Sequence, residues 1–181
     1  SEFDADAWVR AIKAAGAKYI TITTRHHDGF SLFKSSASTY NTVDATPFKR
    51  DVIKEMADAC QRHGIKLHLY YSHLDWGRED YPQGRTGLGT GRQKEKADWT
   101  SYYNFMNTQL TELLTHYGPF GAIWFDGWWD HDSDAKPFDW QLEAQYAMIH
   151  KLQPQCLIGN NHHQTPNPGE DIQIFERDLP G

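Results

Sequence analysis

The chain has 181 residues, 39% hydrophobic and 23% charged, enough for one domain with a real core and the balance of an ordinary globular protein. Its formal charge of −6 lacks the basic excess that phosphate backbones demand, which excludes nucleic acid as an expected partner. No apolar run approaches membrane-spanning length and no signal peptide opens the chain, so no membrane span is expected.

In chain order, Asp4 and the acids after it read as a helix start, with Trp8, Val9, Ile12 and Ala15 on one face and Gly16 as the stop. Lys18 to Thr24 alternates as a strand and runs into Arg25-His26-His27-Asp28-Gly29-Phe30. After a polar connection, Thr46-Pro47 reads as the opening of a helix whose buried stripe is Val52, Ile53, Met56 and Cys60, ended by Gly64. Ile65 to Ser72 is a second strand, with Ile65, Leu67 and Leu69 on one face and His68, Tyr70 and Ser72 on the other. It leaves through His73-Leu74-Asp75-Trp76 into a long loop as far as Lys96, of a length that is usually functional or disordered.

Trp99 to Tyr117 is a strongly periodic helix closed by Gly118-Pro119. Ala122-Ile123-Trp124-Phe125-Asp126-Gly127-Trp128-Trp129-Asp130 then behaves as a strand that ends in chemistry. Ala122, Trp124 and Asp126 share one side, Ile123 and Phe125 the other. Asp139 reads as the cap of a helix carrying Leu142, Tyr146, Ile149 and Leu152. Cys156 to Gly159 is a short strand ending in Asn160-Asn161-His162-His163, and Asp171 to Glu176 a final strand. Cys60 and Cys156, the only cysteines, sit in apolar surroundings within regular elements and read as buried free thiols.

Helices alternating with strands predict an α/β fold with a parallel sheet, either a (β/α) barrel or a doubly wound sheet. No Gly-rich phosphate fingerprint follows a strand, and polar residues gather at each strand end in turn, which favours the barrel and its mouth of βα loops. A whole barrel needs eight strands in about 250 residues, so residues 1–181 are expected to be part of a single incomplete (β/α)8 TIM-like barrel domain. The way the chain opens at a helix start and stops at Leu179-Pro180-Gly181 is read as that of an excised piece.

In a barrel, the five strand ends gather His26-His27-Asp28, Tyr70 with His73 and Asp75-Trp76, Trp124 with Asp126, Asn160 to His163, and Glu176 at one mouth. Carboxylates that can flank a substrate, with histidines and aromatics around them, are the inventory of a glycosidase. Aromatic residues make up 14% of the chain, and flat rings on strand-end loops suit the apolar face of a sugar. Two other readings stay open on the residues alone. Ten histidines and several acids could serve a metal-dependent hydrolase, although adjacent histidines such as His26-His27 and His162-His163 should point apart on a regular strand. A non-catalytic carbohydrate-binding fragment is the other.

Arg25-His26-His27-Asp28-Gly29-Phe30, Tyr70-Tyr71-Ser72, Trp124-Phe125-Asp126-Gly127 and Asp171-Ile172-Gln173-Ile174-Phe175-Glu176 together resemble the α-L-fucosidases of glycoside hydrolase family 29, in the same order along the chain. The resemblance implies a retaining exo-hydrolase that removes terminal α-L-fucose from fucosylated oligosaccharides or glycoconjugates through a covalent fucosyl-enzyme intermediate. It implies no cofactor and no metal, and a periplasmic or secreted location. By the same resemblance Asp126 takes the nucleophile's place, His26 and His27 the hydroxyl-binding pair, and Tyr70 and Trp124 pocket-lining positions. The acid/base falls on Glu176, with Glu170 as the alternative; strict alternation sets Glu176 beside Ile172 and Ile174, away from the expected mouth. His162 stands where many relatives carry an arginine. Trp76, with its loop, and Trp128, with its turn, are expected on the aglycone side. The family's first strand, its later strands and its C-terminal β-sandwich are not in these residues, so the isolated fragment is expected to be inactive or poorly folded.

Overall fold

The computed structural model describes residues 2–91 and 94–176. Four helices, α1 (Ala5–Ala14), α2 (Val52–His63), α3 (Trp99–His116) and α4 (Leu142–Leu152), alternate with strands β1 (Tyr19–Arg25), β2 (Lys66–Ser72), β3 (Ala122–Asp126), β4 (Leu157–Asn160) and β5 (Ile172–Gln173). The strands form one parallel sheet in the order β1-β2-β3-β4-β5. Because that order never reverses, right-handed crossovers bring α2, α3 and α4 to the same face, where α1 packs against α2.

That face is the core. Leu67, Leu69, Tyr71, Ile123, Phe125 and Ile158 are buried beneath Ile53, Met56, Leu110, Leu113 and Ile149, each such side chain contributing about 1.5–3 kcal/mol on leaving water. The register sets His68, Tyr70 and Ser72 beside Ala122, Trp124 and Asp126 on the opposite face. Tyr19, also on that face, is 56% exposed. Both cysteines are free and buried, and burial pushes the Cys60 thiol up to about 11 and the Cys156 thiol up to about 12. Among the described residues, no helix is long and apolar enough to cross a membrane.

Helix starts follow the aspartates. Asp4, Asp51 and Asp98 each accept a backbone N–H from the first turn, at 2.9–3.0 Å, worth about 1 kcal/mol apiece. Two expected starts are displaced. Thr46-Pro47 does not open α2, because Lys49 stands in the left-handed region at φ 54° and breaks any helix begun there; Asp51 takes the cap instead. Asp139 does not cap α4 either. Its carboxylate accepts the Gln141 N–H at 2.9 Å, while Gln141 itself occupies the cap with φ 55° and makes no side-chain capping bond.

The last strand is shorter than its alternating pattern. Only Ile172 and Gln173 pair with β4, because β4 ends at Asn160 and offers no ladder beyond it. Ile172 lies beside Gly159, and Gly159 beside Trp124. The apolar side of β5 is therefore the Trp124 side, where Gly159 leaves the room: a Cβ there would come within 2.7 Å of both Ile172 and Ile174. Because β5 ends at Gln173, alternation from Ile172 does not fix the side on which Glu176 lies.

Candidate active site

The carboxyl ends of β1 to β4 assemble one cluster. β1 carries a register irregularity between Thr23 and Arg25, and such a bulge re-aims the side chains beyond it. Arg25 turns to the helix side, fully buried beside Tyr71, Tyr102 and Phe105. His26 and His27 lie past the strand end, and their rings do not point apart: the centroids are 4.0 Å from one another. The expectation of opposed rings fails because it assumed that the strand continues.

Asp126, at the end of β3, is 6% exposed. Its Oδ1 accepts the Gly127 N–H at 2.8 Å, the Trp129 Nε1–H at 3.0 Å and an Asn161 amide N–H at 3.3 Å. Its Oδ2 accepts the Tyr70 hydroxyl at 2.7 Å and stands 3.7 Å from His27 Nε2. Gly127, with φ 98° in a region that L side chains avoid, turns the chain sharply just after the carboxylate. Burial raises the Asp126 pKa, but the Tyr70 and Trp129 hydrogen bonds, His27 and the Gly127 N–H together outweigh it. The carboxyl titrates below its ordinary range and is ionised at neutral pH.

His27 is neutral. Burial and His26 lower its pKa from 6.5 to about 4, against the pull of Asp126 and Asp130. Its Nδ1 lies 2.7 Å from Ser72 Oγ, and the Ser72 hydroxyl donates to the Leu74 carbonyl at 2.8 Å. With the serine proton so placed, Nδ1 carries the imidazole proton and Nε2 keeps its lone pair on the Asp126 side. The exposed His26 ring stacks on Tyr70 at 5.3 Å. Trp124 is half-buried 6.2 Å from Tyr70, and its indole N–H has no partner.

Glu176 reaches this cluster through Asn161, whose Nδ2 donates to Glu176 Oε2 at 3.0 Å as well as to Asp126. Glu170 does not reach it. Its carboxylate is 1% exposed and accepts from His162 Nε2, Tyr146 Oη and the Asn167 N–H. His162, 3% exposed, has both ring nitrogens engaged, the second accepting the Gln164 N–H. Trp76 meets the edge of His27 at 5.2 Å. Trp128 instead faces His162 at 5.9 Å and lines a separate hollow of about 280 Å³ with Phe138 and Trp140. Among the described residues, no three His, Cys, Asp or Glu side chains converge as a metal-ligand set.

Three residues in direct contact with Asp126 or His27 had no distinct signal in the sequence: Asn161, Trp129 and Ser72. Asn161 sits in a polar strand end that drew attention as a group, Trp129 follows the Asp-Gly turn, and Ser72 shares the Tyr70 face.

A family model described as alpha-L-fucosidase matches residues 1–181. Putative alpha-L-fucosidase 1 of Oryza sativa subsp. japonica is 35% identical over 161 residues, covering 87% of this chain and 28% of that protein. Alpha-L-fucosidase isoenzyme 1 from Paenibacillus thiaminolyticus superposes with a TM-score of 0.76 at 38% identity, over 87% of this chain and 38% of that one. Alpha-L-fucosidase AlfC from Lactobacillus casei in complex with alpha-L-fucose product superposes at 0.75 with 32% identity, over 87% and 50%. The chain thus spans a little over a quarter of the length of the curated relative.

Proposed function

The chain belongs to the alpha-L-fucosidase family, and from that membership we propose that it carries the nucleophile half of a retaining exo-fucosidase site acting on terminal α-L-fucose of fucosylated glycans. The observation that carries this reading is the Asp126 carboxylate, ionised, held by four donors and facing a neutral histidine. Asp126 attacks the anomeric carbon as the bond to the leaving oxygen breaks, and Glu176 delivers the proton that oxygen needs. Glu176 then takes a proton from water, which attacks the same carbon and frees Asp126. His27 Nε2 accepts a hydrogen bond from a fucose hydroxyl, with His26 beside it, and Tyr70 and Trp124 wall the sugar. Asn161 supports the pairing of the two carboxylates. One amide nitrogen in contact with both keeps the oxygens within roughly 6 Å, the range of a retaining pair at about 5–5.5 Å.

The proposed frame is a (β/α)8 barrel of which residues 1–181 form part. A sheet with all its helices on one face leaves the other uncovered unless it closes on itself, and here the uncovered face is the one bearing Tyr70, Trp124 and Asp126. Activity belongs to the closed barrel, and residues 1–181 alone are expected to be inactive. No cofactor or metal enters the scheme, and a periplasmic or secreted location rests on the family resemblance alone.

The test is made in the intact protein. Asp126→Gly should abolish hydrolysis of an aryl α-L-fucoside, with added azide restoring turnover as fucosyl azide; full activity in the variant sinks the assignment. Glu176→Ala should slow poor leaving groups far more than activated aryl groups. An equal loss on both returns the acid/base to another residue.

A further inference from the structure

The loop leaving β2 and the turn leaving β3 are bolted together by one buried side chain, Asp130. It is 0% exposed and lies four residues past Asp126. Its Oδ2 accepts the Tyr81 hydroxyl at 2.8 Å, and its Oδ1 accepts both the backbone N–H of Thr86 at 2.8 Å and the Thr86 hydroxyl at 2.5 Å. Its carbonyl accepts the Arg85 N–H at 3.0 Å. Gly84 allows this approach, because a Cβ there would lie 2.1 Å from Asp130 Oδ2.

The contacts run on to the site. A threonine hydroxyl has one proton, and Thr86 gives it to Asp130, so its lone pair is left for the Trp76 Nε1–H at 3.0 Å. Trp76 is thereby held at its indole nitrogen by the loop. Its backbone N–H is fixed to the His27 carbonyl at 2.7 Å, and its ring meets the edge of His27. On the other side, Arg85 lies over the Trp129 ring at 5.6 Å, and Trp129 donates to Asp126. The half-buried Trp76 is the rigid wall next to the hydroxyl-binding pair, and the carboxylate that makes it rigid never faces solvent.

We propose that Asp130 and Thr86 are positioning residues that decide which aglycone the site accepts, by fixing Trp76 as a flat platform for the sugar ring to which the fucose is attached. The proposal rests on the fucosidase reading above. A pyranose ring packs its apolar face on a held indole; an indole free to swing presents no such surface, and its ordering is then charged against binding.

The measurement compares α-L-fucosyl fluoride, which has no aglycone ring, with an α-L-fucosyl-N-acetylglucosamine disaccharide, using the intact protein and its Thr86→Val, Thr86→Ser and Asp130→Asn variants. Loss of the relay hydrogen bond should lower kcat/KM for the disaccharide about ten-fold more than for the fluoride, chiefly through KM, in Thr86→Val and Asp130→Asn. Thr86→Ser, which keeps the hydroxyl, should restore the wild-type ratio. An equal loss on both substrates, or an unchanged ratio, overturns the proposal. A wild-type protein inert on both substrates sinks the fucosidase reading instead, and the anchor is then decided by trypsin. Thr86→Val should be cut faster than the wild type at Arg78 or Arg85 at a temperature well below both melting transitions, and an unchanged cleavage rate removes the anchor as well.

Discussion

The two oxygens of Asp126 are not equivalent, and that asymmetry is a residue-scale property with a measurable consequence. Oδ1 takes three N–H donors; Oδ2 takes the single Tyr70 hydroxyl and faces His27. The tyrosine is a dedicated donor here, since burial and then Asp126 push its own pKa upward, away from any role as a base. Removing it leaves the buried carboxylate with less to offset its desolvation. Tyr70→Phe is expected to raise the acid limb of kcat/KM by roughly one to two pH units, because a charge-assisted hydrogen bond is worth about 1.5–3 kcal/mol. A pH-rate profile whose acid limb stays in place would show that Tyr70 does not hold the Asp126 carboxylate ionised. Asp126 stood out in the sequence because it shares a strand face with Trp124 and closes an apolar run. Its bond to Tyr70 could not be read there, since that bond joins two strands whose register only the fold determines.

At the scale of elements, the four helices and the cores of β1 to β4 follow from periodicity, and misplacements occur where a local backbone feature overrides pattern. Lys49 and Gln141 in the left-handed region moved two helix starts, and the early end of β4 truncated β5. The bulge in β1 was equally silent, yet it sends Arg25 into the helix side of the sheet and leaves His26 and His27 beside Asp126 and Tyr70. Arg25 can occupy that site only because Asp75, 1% exposed, meets it at 2.8 Å and Tyr102 at 2.5 Å. The same carboxylate accepts the backbone N–H groups of Gly77 and Arg78, so it fixes the start of the β2 loop as well. Asp75→Ala strands a buried guanidinium and two N–H groups together, for an expected loss of about 3–5 kcal/mol in urea unfolding. A loss below about 1 kcal/mol, the ordinary surface range, would mean that water or another group replaces Asp75 and that the pair does not hold β1 to the loop.

For the molecule as a whole, the buried histidines tie folding to pH. His27 and His73 both titrate at about 4, depressed from 6.5 chiefly by burial. The groups acting on His27 are His26, Asp126, Asp130 and Arg25, and those on His73 are Gln145, Arg25, Asp126 and Glu170. The carboxylates pull both values upward, but not far enough to restore the ordinary one. Above pH 6.5 both rings are neutral in either state, and below about 4 both are protonated in either state. Between those limits the unfolded chain binds more protons, so stability must rise with pH across that window. Each ring contributes up to about 3 kcal/mol to that rise. Asp126 acts with the same sign but below that window, since its lowered pKa gives stability that is present above its ordinary value of 3.8 and lost as pH falls through its folded value. Urea unfolding followed at half-unit intervals from pH 4 to 7 should therefore show a steady gain, steepest below pH 6. A flat curve would mean that neither ring is depressed in the folded protein, and a protonated His27 would have no lone pair for the fucose hydroxyl proposed to bind it. The stability curve thus tests the same neutral imidazole on which the proposed sugar contact depends.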